Sequence, residues 1–210
     1  MESWTSGEKK SLHAIERDTE ENRKRREAFL ERLRTISPER LVFLDESGIS
    51  TQMTRRYGRA QAGQRVSEAI PGGNWKILTI LGAMKIDGMI ATMTIEAATD
   101  AEIFLAYLDH VLCPALQPGD VVVMDNLSSH KVNGVRQRIQ AVGAELLYMP
   151  PYSPDLNPIE KAWSKLKEEL RSLRERSTLA LDHAVALLIP NIRPQDAKAW
   201  FRIPFRTLHQ

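Results

Sequence analysis

Four prolines between positions 150 and 158 constrain the fold more than any other feature of this sequence. They lie in the segment 149–163, MPPYSPDLNPIEKAW. Proline fixes φ at about −65° and disfavours a helical conformation in the residue before it, so this segment is predicted to be a stiff, extended loop. The residues on either side predict a strand before the loop and a helix after it. The loop therefore brings one carboxylate, Glu160, into the first turn of a helix.

The rest of the chain predicts an α/β fold. Two hairpin strands followed by β-α-β crossovers give a mixed sheet covered by helices, which is the element order of ribonuclease-H-like domains. We therefore expect a ribonuclease-H-like, mixed five-stranded sheet flanked by helices. The apolar patterns place strands at 41–44, 75–84, 89–95, 120–124 and 145–149, and helices after Asp100 and at 131–142, 160–176 and 179–188.

The first 38 residues have a different character. Acidic residues precede basic ones, which suits the dipole of a helix, and a narrow apolar stripe follows. We expect an N-terminal helical linker at 1–38 and a ribonuclease-H-like domain at 39–210. Residues 47–74, rich in Gly and Arg, are expected to form a hairpin or a long loop.

Composition excludes several classes of protein. The apolar runs are too short to span a membrane, and the N-terminus is too polar for a secretory signal. A single cysteine, Cys113, excludes an internal disulfide. A cytoplasmic location is expected. The net charge of +2 does not by itself indicate nucleic acid, although basic residues cluster locally.

Three carboxylates are predicted to meet at one edge of the sheet. Asp45 and Asp125 each follow an apolar strand, and Glu160 opens a helix. Ligands of open α/β sheets collect beyond the carboxyl ends of the strands. Carboxylates placed so close together repel each other unless one is protonated or a cation lies between them. Mg²⁺ prefers such oxygen ligands, and two ions can serve a phosphoryl transfer.

Each acid also has a simpler structural explanation. Asp45 and Asp125 could hydrogen-bond their own turns. Glu160 could complete a capping box with Asn157 as N-cap, while Trp163, one turn later, suits core packing. Glu46 competes with Asp45, but strand alternation should turn it to the opposite face.

Taken together, these residues resemble a known family. LVFLDES around Asp45, VVVMDNLSSHK around Asp125 and the loop motif ending at Glu160 are similar to the acidic triad of the DDE transposases. The similarity is greatest to the mariner-related bacterial insertion-sequence (IS-six-thirty) family. The 34 residues between Asp125 and Glu160 agree with that spacing.

The resemblance implies a function and partners. It implies Mg²⁺ or Mn²⁺, two ions held by the three acids, cleavage of DNA at element ends and strand transfer into target DNA. It further implies work as a homodimer or larger assembly, in association with the bacterial nucleoid. The family's helix-turn-helix reader has no counterpart before residue 40, so we expect it on a separate polypeptide or a frameshift fusion. The alternatives are an inactive or domesticated fragment that binds DNA or a partner, or a related ribonuclease-H-like nuclease.

Basic residues near the three acids are candidate contacts to the DNA backbone, which position DNA without reading its sequence. Their plainer interpretation is a solvated surface, and His130 could instead make a local hydrogen bond. These candidates are Arg55, Arg56, Arg59, Arg65, His130, Lys131, Lys161 and Lys165.

Overall fold

The computed structural model describes residues 14–70, 72–126 and 132–206. Its centre is a five-stranded mixed sheet with the strand order β3-β2-β1-β4-β5. β1 pairs antiparallel with β2, and β2 with β3, whereas β1, β4 and β5 run parallel. This topology confirms the predicted ribonuclease-H-like fold. The strands are β1 Leu41–Ser50, β2 Ile77–Lys85, β3 Gly88–Ile95, β4 Val121–Met124 and β5 Glu145–Tyr148.

Helices cover both faces of the sheet. Three of the described helices begin at side-chain caps: Thr19 accepts from Asn22 N–H, Asp100 from Ile103 N–H, as the sequence predicted, and Ser177 from Ala180 N–H. None of the described helices is both long and apolar enough to cross a membrane. The helices are α1 Glu20–Arg34, α2 Ala101–Tyr107, α3 Val135–Ala141, α4 Ile159–Leu173, α5 Thr178–Leu188, α6 Pro194–Trp200 and α7 Ile203–Arg206.

The continuous apolar run of β4 serves two hydrophobic clusters, one on each face of the sheet. Val121 and Val123 belong to the cluster that includes α1, α4 and α5, while Val122 and Met124 belong to the one that includes α2 and α3. β1 alternates in the same way. A strand buried on both faces needs apolar residues at every position, which explains why its sequence does not alternate.

Several element boundaries differ from the sequence prediction. β1 does not end at Leu44 but continues to Ser50, because it stays paired with β2 after it has parted from β4. The helix predicted from residue 131 begins at Val135, after Gly134 with a positive φ of 100°. Helices α6 and α7 were not predicted.

The N-terminal helix α1 packs against the main body of the fold. Phe29, Leu30 and Leu33 are buried in the same cluster as the core of α4. The domain boundary at residue 38 stays a prediction, and α1 and the main body of the fold share one core here.

Candidate functional site

The register of β1 and β4 brings two of the predicted acids together. Phe43 pairs with Val123, and Asp45 and Asp125 each follow two residues later. Side chains two residues apart in a strand lie on the same face, so both acids continue the face that packs against α4. Asp45 lies inside β1 rather than at its carboxyl end, which corrects the sequence prediction. It nevertheless stands where β1 parts from β4, because the parallel pairing stops at Phe43.

Glu46 lies on the other face of the sheet, as predicted. It pairs with Leu81, which belongs to the cluster around α2 and α3. Asp45 pairs with Gly82, which faces Trp163 of α4. The strand geometry therefore selects Asp45 as the acid that faces α4.

The third acid reaches the same place from α4. The helix begins at Ile159 after the proline loop, and Glu160 lies in its first turn. The capping box that would explain Glu160 structurally does not form, because the N-cap is Pro158 and no side chain caps the helix. Asn157 Oδ1 is instead buried without a hydrogen-bond partner.

Asp45, Asp125 and Glu160 line one cavity of about 450 Å³. Asn126 and Asn157 line it as well, and so does the proline loop from Met149 to Pro154. Tyr152, in that loop, has a positive φ of 56°. A bulky residue seldom adopts this conformation, and such local strain concentrates at functional sites.

The proline loop is held by a residue that the sequence prediction missed. Arg26, on α1, is only 7% exposed. Its guanidinium donates to Ser153 Oγ at 2.7 Å and to both carboxylate oxygens of Asp155 at 3.0 and 2.7 Å. Bidentate pairs of this kind fix geometry as well as adding energy. The N-terminal helix thus fixes one wall of the cavity.

Two of the acids in the cavity, Asp45 and Glu160, have raised pKa values. Burial raises the pKa of Asp45 from 3.8 to about 8, and the negative charges of Glu160 and Asp125 add to that rise. Burial likewise raises the pKa of Glu160, although Lys167 and Lys161 oppose it. Carboxyl groups in a cleft whose pKa values are raised by burial and by a specific neighbouring charge are typical of functional sites.

Lys167 is a further site residue that the prediction did not name. It lies on α4 two turns after Glu160, and burial lowers the pKa of its ammonium group, while Glu160 and Asp45 favour its charged form. Arg171 and Arg56 are close enough to lower that pKa further. A cation therefore lies close enough to Glu160 and Asp45 to interact with them, and its helical spacing from Glu160 was a signal in the sequence.

The chemistry of this donor set fits a divalent cation. Three carboxylates and a buried, unpartnered amide oxygen face one cavity, and a cation there would offset the burial, and the repulsion by Glu160 and Asp125, that raise the pKa of Asp45. Within the described ranges, however, no three acidic, histidine or cysteine side chains lie close enough together to hold an ion as they stand. An ion would have to draw the carboxylates towards one another.

The other predicted residues have different surroundings. Arg55, Arg56, Arg59 and Arg65 lie exposed on the segment between β1 and β2, and Lys161 is exposed on α4. Lys165 instead donates to Asp196 Oδ2 at 2.6 Å and to the Asn191 carbonyl at 2.8 Å, so its ammonium group ties α4 to α6. This engagement disfavours a DNA contact by Lys165. His130 and Lys131 lie outside the described residues.

Comparisons with known proteins agree with this geometry. A family model described as a DDE superfamily endonuclease matches residues 40–180, a range that includes all three acids. No curated protein matches the chain.

Solved structures of similar fold include the Mos1 transposase paired-end complex with left transposon end, with a TM-score of 0.78 and 21% identity. A pre-cleavage Mos1 transpososome matches with a TM-score of 0.80 and 20% sequence identity. These two matches cover 98% and 99% of this chain but only 64% and 66% of the Mos1 chains. The chain therefore spans about two thirds of the length of the Mos1 chains. The catalytic domain of Mos1 mariner transposase is 94% covered, with a TM-score of 0.70 and 19% identity.

Proposed function

The chain belongs to the DDE superfamily of endonucleases, and we propose that it is the catalytic portion of a transposase, which cleaves DNA at element ends and transfers the strand into target DNA. The observation that carries this proposal is the arrival of Asp45, Asp125 and Glu160 at one cavity from three separate elements. Similarity in fold to Mos1 transposase complexes supports it.

The three acids are proposed to hold two divalent ions, Mg²⁺ or Mn²⁺. Mos1 structures of similar fold were determined with each of these metals. Bound there, the ions would supply Lewis-acid stabilisation of the attacking and leaving oxygens of a phosphoryl transfer. The protein's own contribution is to keep Asp45 buried and to aim Glu160 from a rigid helix start. Asn157 presents an amide acceptor to the same cavity.

The basic residues around the cavity are proposed to hold the DNA backbone. Lys167, beside Glu160, is placed to contact a phosphate near the acids, and the exposed arginines of the segment between β1 and β2 would extend that contact. Such contacts position DNA without reading its sequence. Reading the element ends is proposed to require a helix-turn-helix unit. By analogy with the paired-end complexes, a dimer or larger assembly at the nucleoid is proposed.

A joining assay tests this function. The purified protein, Mn²⁺, DNA ends with free 3′-hydroxyls and a supercoiled plasmid should give nicked and joined products. Asp125→Asn, which keeps the shape of the side chain, should remove both products while leaving the circular dichroism spectrum unchanged. Nicking at the wild-type rate by this variant would refute the proposal. Nicked products without joined ones would instead favour the related nuclease.

A further inference from the structure

One buried hydrogen bond links the cavity to the core of α4. Trp163 Nε1 donates to Asp45 Oδ2 at 3.1 Å, and the indole is only 2% exposed. A core tryptophan needs a partner for its N–H, and many would find a backbone carbonyl. Here the partner is one of the three acids that line the cavity. A side chain expected to serve only packing thus also contacts the site.

A glycine on the neighbouring strand makes this contact possible. Gly82 pairs with Asp45 across β1 and β2. A Cβ atom at Gly82 would lie 2.5 Å from Trp163 Cη2 and 2.9 Å from Met89 Cε. Glycine weakens the interior of a strand and often marks a place where another group approaches closely. The missing side chain therefore gives the indole room to lie against the sheet and to reach Asp45.

We propose that Trp163 is a positioning residue that orients the Asp45 carboxylate for a divalent cation, with Gly82 providing the space. Fixing one carboxylate oxygen restricts rotation of the group about its terminal bond, so the Asp45 carboxylate is oriented before an ion arrives. Outer partners of metal ligands act in this way, and removing one typically costs about 10–100-fold in metal affinity or activity. This inference rests on the proposed function, because it assumes that Asp45 is a ligand.

The primary variant is Trp163→Phe, which keeps an aromatic ring in the core and removes the N–H donor. Mn²⁺ affinity, measured from the free ion by electron paramagnetic resonance at a temperature where the protein is folded, should fall about 10–100-fold. Trp200→Phe, which changes a partly buried tryptophan that packs against the same cluster, should bind Mn²⁺ as the wild type does. A residue that is only structural would lower the melting temperature and leave the affinity of the folded protein unchanged.

Two further measurements do not depend on the stability of Trp163→Phe. Gly82→Ala keeps the indole but pushes it from its position, so it should also weaken Mn²⁺ binding. In the wild-type protein, paramagnetic Mn²⁺ should quench the blue-shifted emission of the buried Trp163, and Asp125→Asn should reduce that quenching.

The results separate the two claims. Wild-type protein that binds no Mn²⁺ would refute the proposed function. A second pattern would overturn the role of Trp163 alone. In that pattern the wild type binds Mn²⁺ and Asp125→Asn does not, while Trp163→Phe or Gly82→Ala binds Mn²⁺ with an affinity within twofold of the wild type.

Discussion

Replacing Asp45 with asparagine should stabilise the metal-free protein, and more so as the pH rises. The pKa of Asp45 is raised from 3.8 to about 8 in the fold, chiefly by burial. A carboxyl group with a raised folded pKa contributes its stability below the unfolded value of about 4 and loses it as the pH rises through 8. Asparagine does not titrate, so the variant avoids this loss and keeps an oxygen that can accept from Trp163.

The magnitude follows from the pKa difference. One pKa unit corresponds to about 1.4 kcal/mol. Between pH 5 and pH 8, the unfolding free energy of Asp45→Asn should therefore rise relative to that of the wild type by about 4 kcal/mol at most. Relaxation around a buried acid reduces such values, and we expect about 2 kcal/mol or more. The advantage of Asp45→Asn over wild type should therefore be small at pH 5 and largest at pH 8.

Urea denaturation in EDTA at pH 5, 6, 7 and 8 measures this difference. Asp87→Asn, at a carboxylate that is 72% exposed in the turn between β2 and β3, is the matched control and should show no such trend. Mg²⁺ should then stabilise the wild type more than Asp45→Asn, because an ion that binds only the folded state shifts its stability by mass action. An Asp45→Asn advantage that stays flat across this pH range would refute the electrostatic reasoning.

Three further predictions follow from named contacts. Arg26→Met should lower the unfolding free energy by about 2 kcal/mol, because it leaves Asp155 without its buried partner. Arg25→Met, the control, breaks an exposed pair with Glu21 and should lower it by less than about 0.5 kcal/mol in the same denaturation assay. Arg56→Ala should weaken DNA binding uniformly across sequences and reduce the slope of log affinity against log salt by about one; a change in sequence preference in a binding assay would contradict a phosphate contact. Lys167→Met should reduce Mn²⁺-dependent nicking while the protein still binds Mn²⁺, and nicking at the wild-type rate would exclude Lys167 from the site.

The sequence predicted the fold because local patterns and topology agree in this chain. The continuous apolar run of β4, the turn between β2 and β3 and the cap at Asp100 are local signals that tertiary packing did not override. The meeting of Asp45 and Asp125 was predictable from strand order, and that of Glu160 from the helix that begins after the proline loop. The parallel pairing of β1 with β4 places the residues that follow the last paired positions side by side.

What the sequence could not predict depends on contacts between distant residues. The length of β1 is set by its pairing with β2, which local pattern does not reveal. Arg26 is one of several arginines on α1, and only the fold shows that it reaches Asp155, which lies far away in sequence. The bond from Trp163 to Asp45 likewise depends on Gly82, whose role is visible only once the indole lies against the sheet.

Diffraction from crystals soaked in Mn²⁺ tests the central claim most directly, because manganese scatters anomalously and its position needs no assumption about ligands. We predict anomalous density inside the cavity, within coordination distance of Asp45, Asp125 and Glu160, with the three carboxylates drawn together around it. Two results would contradict the claim that these residues form one metal centre. One is manganese bound elsewhere, and the other is a cavity without manganese in which any of the three acids keeps its present neighbours.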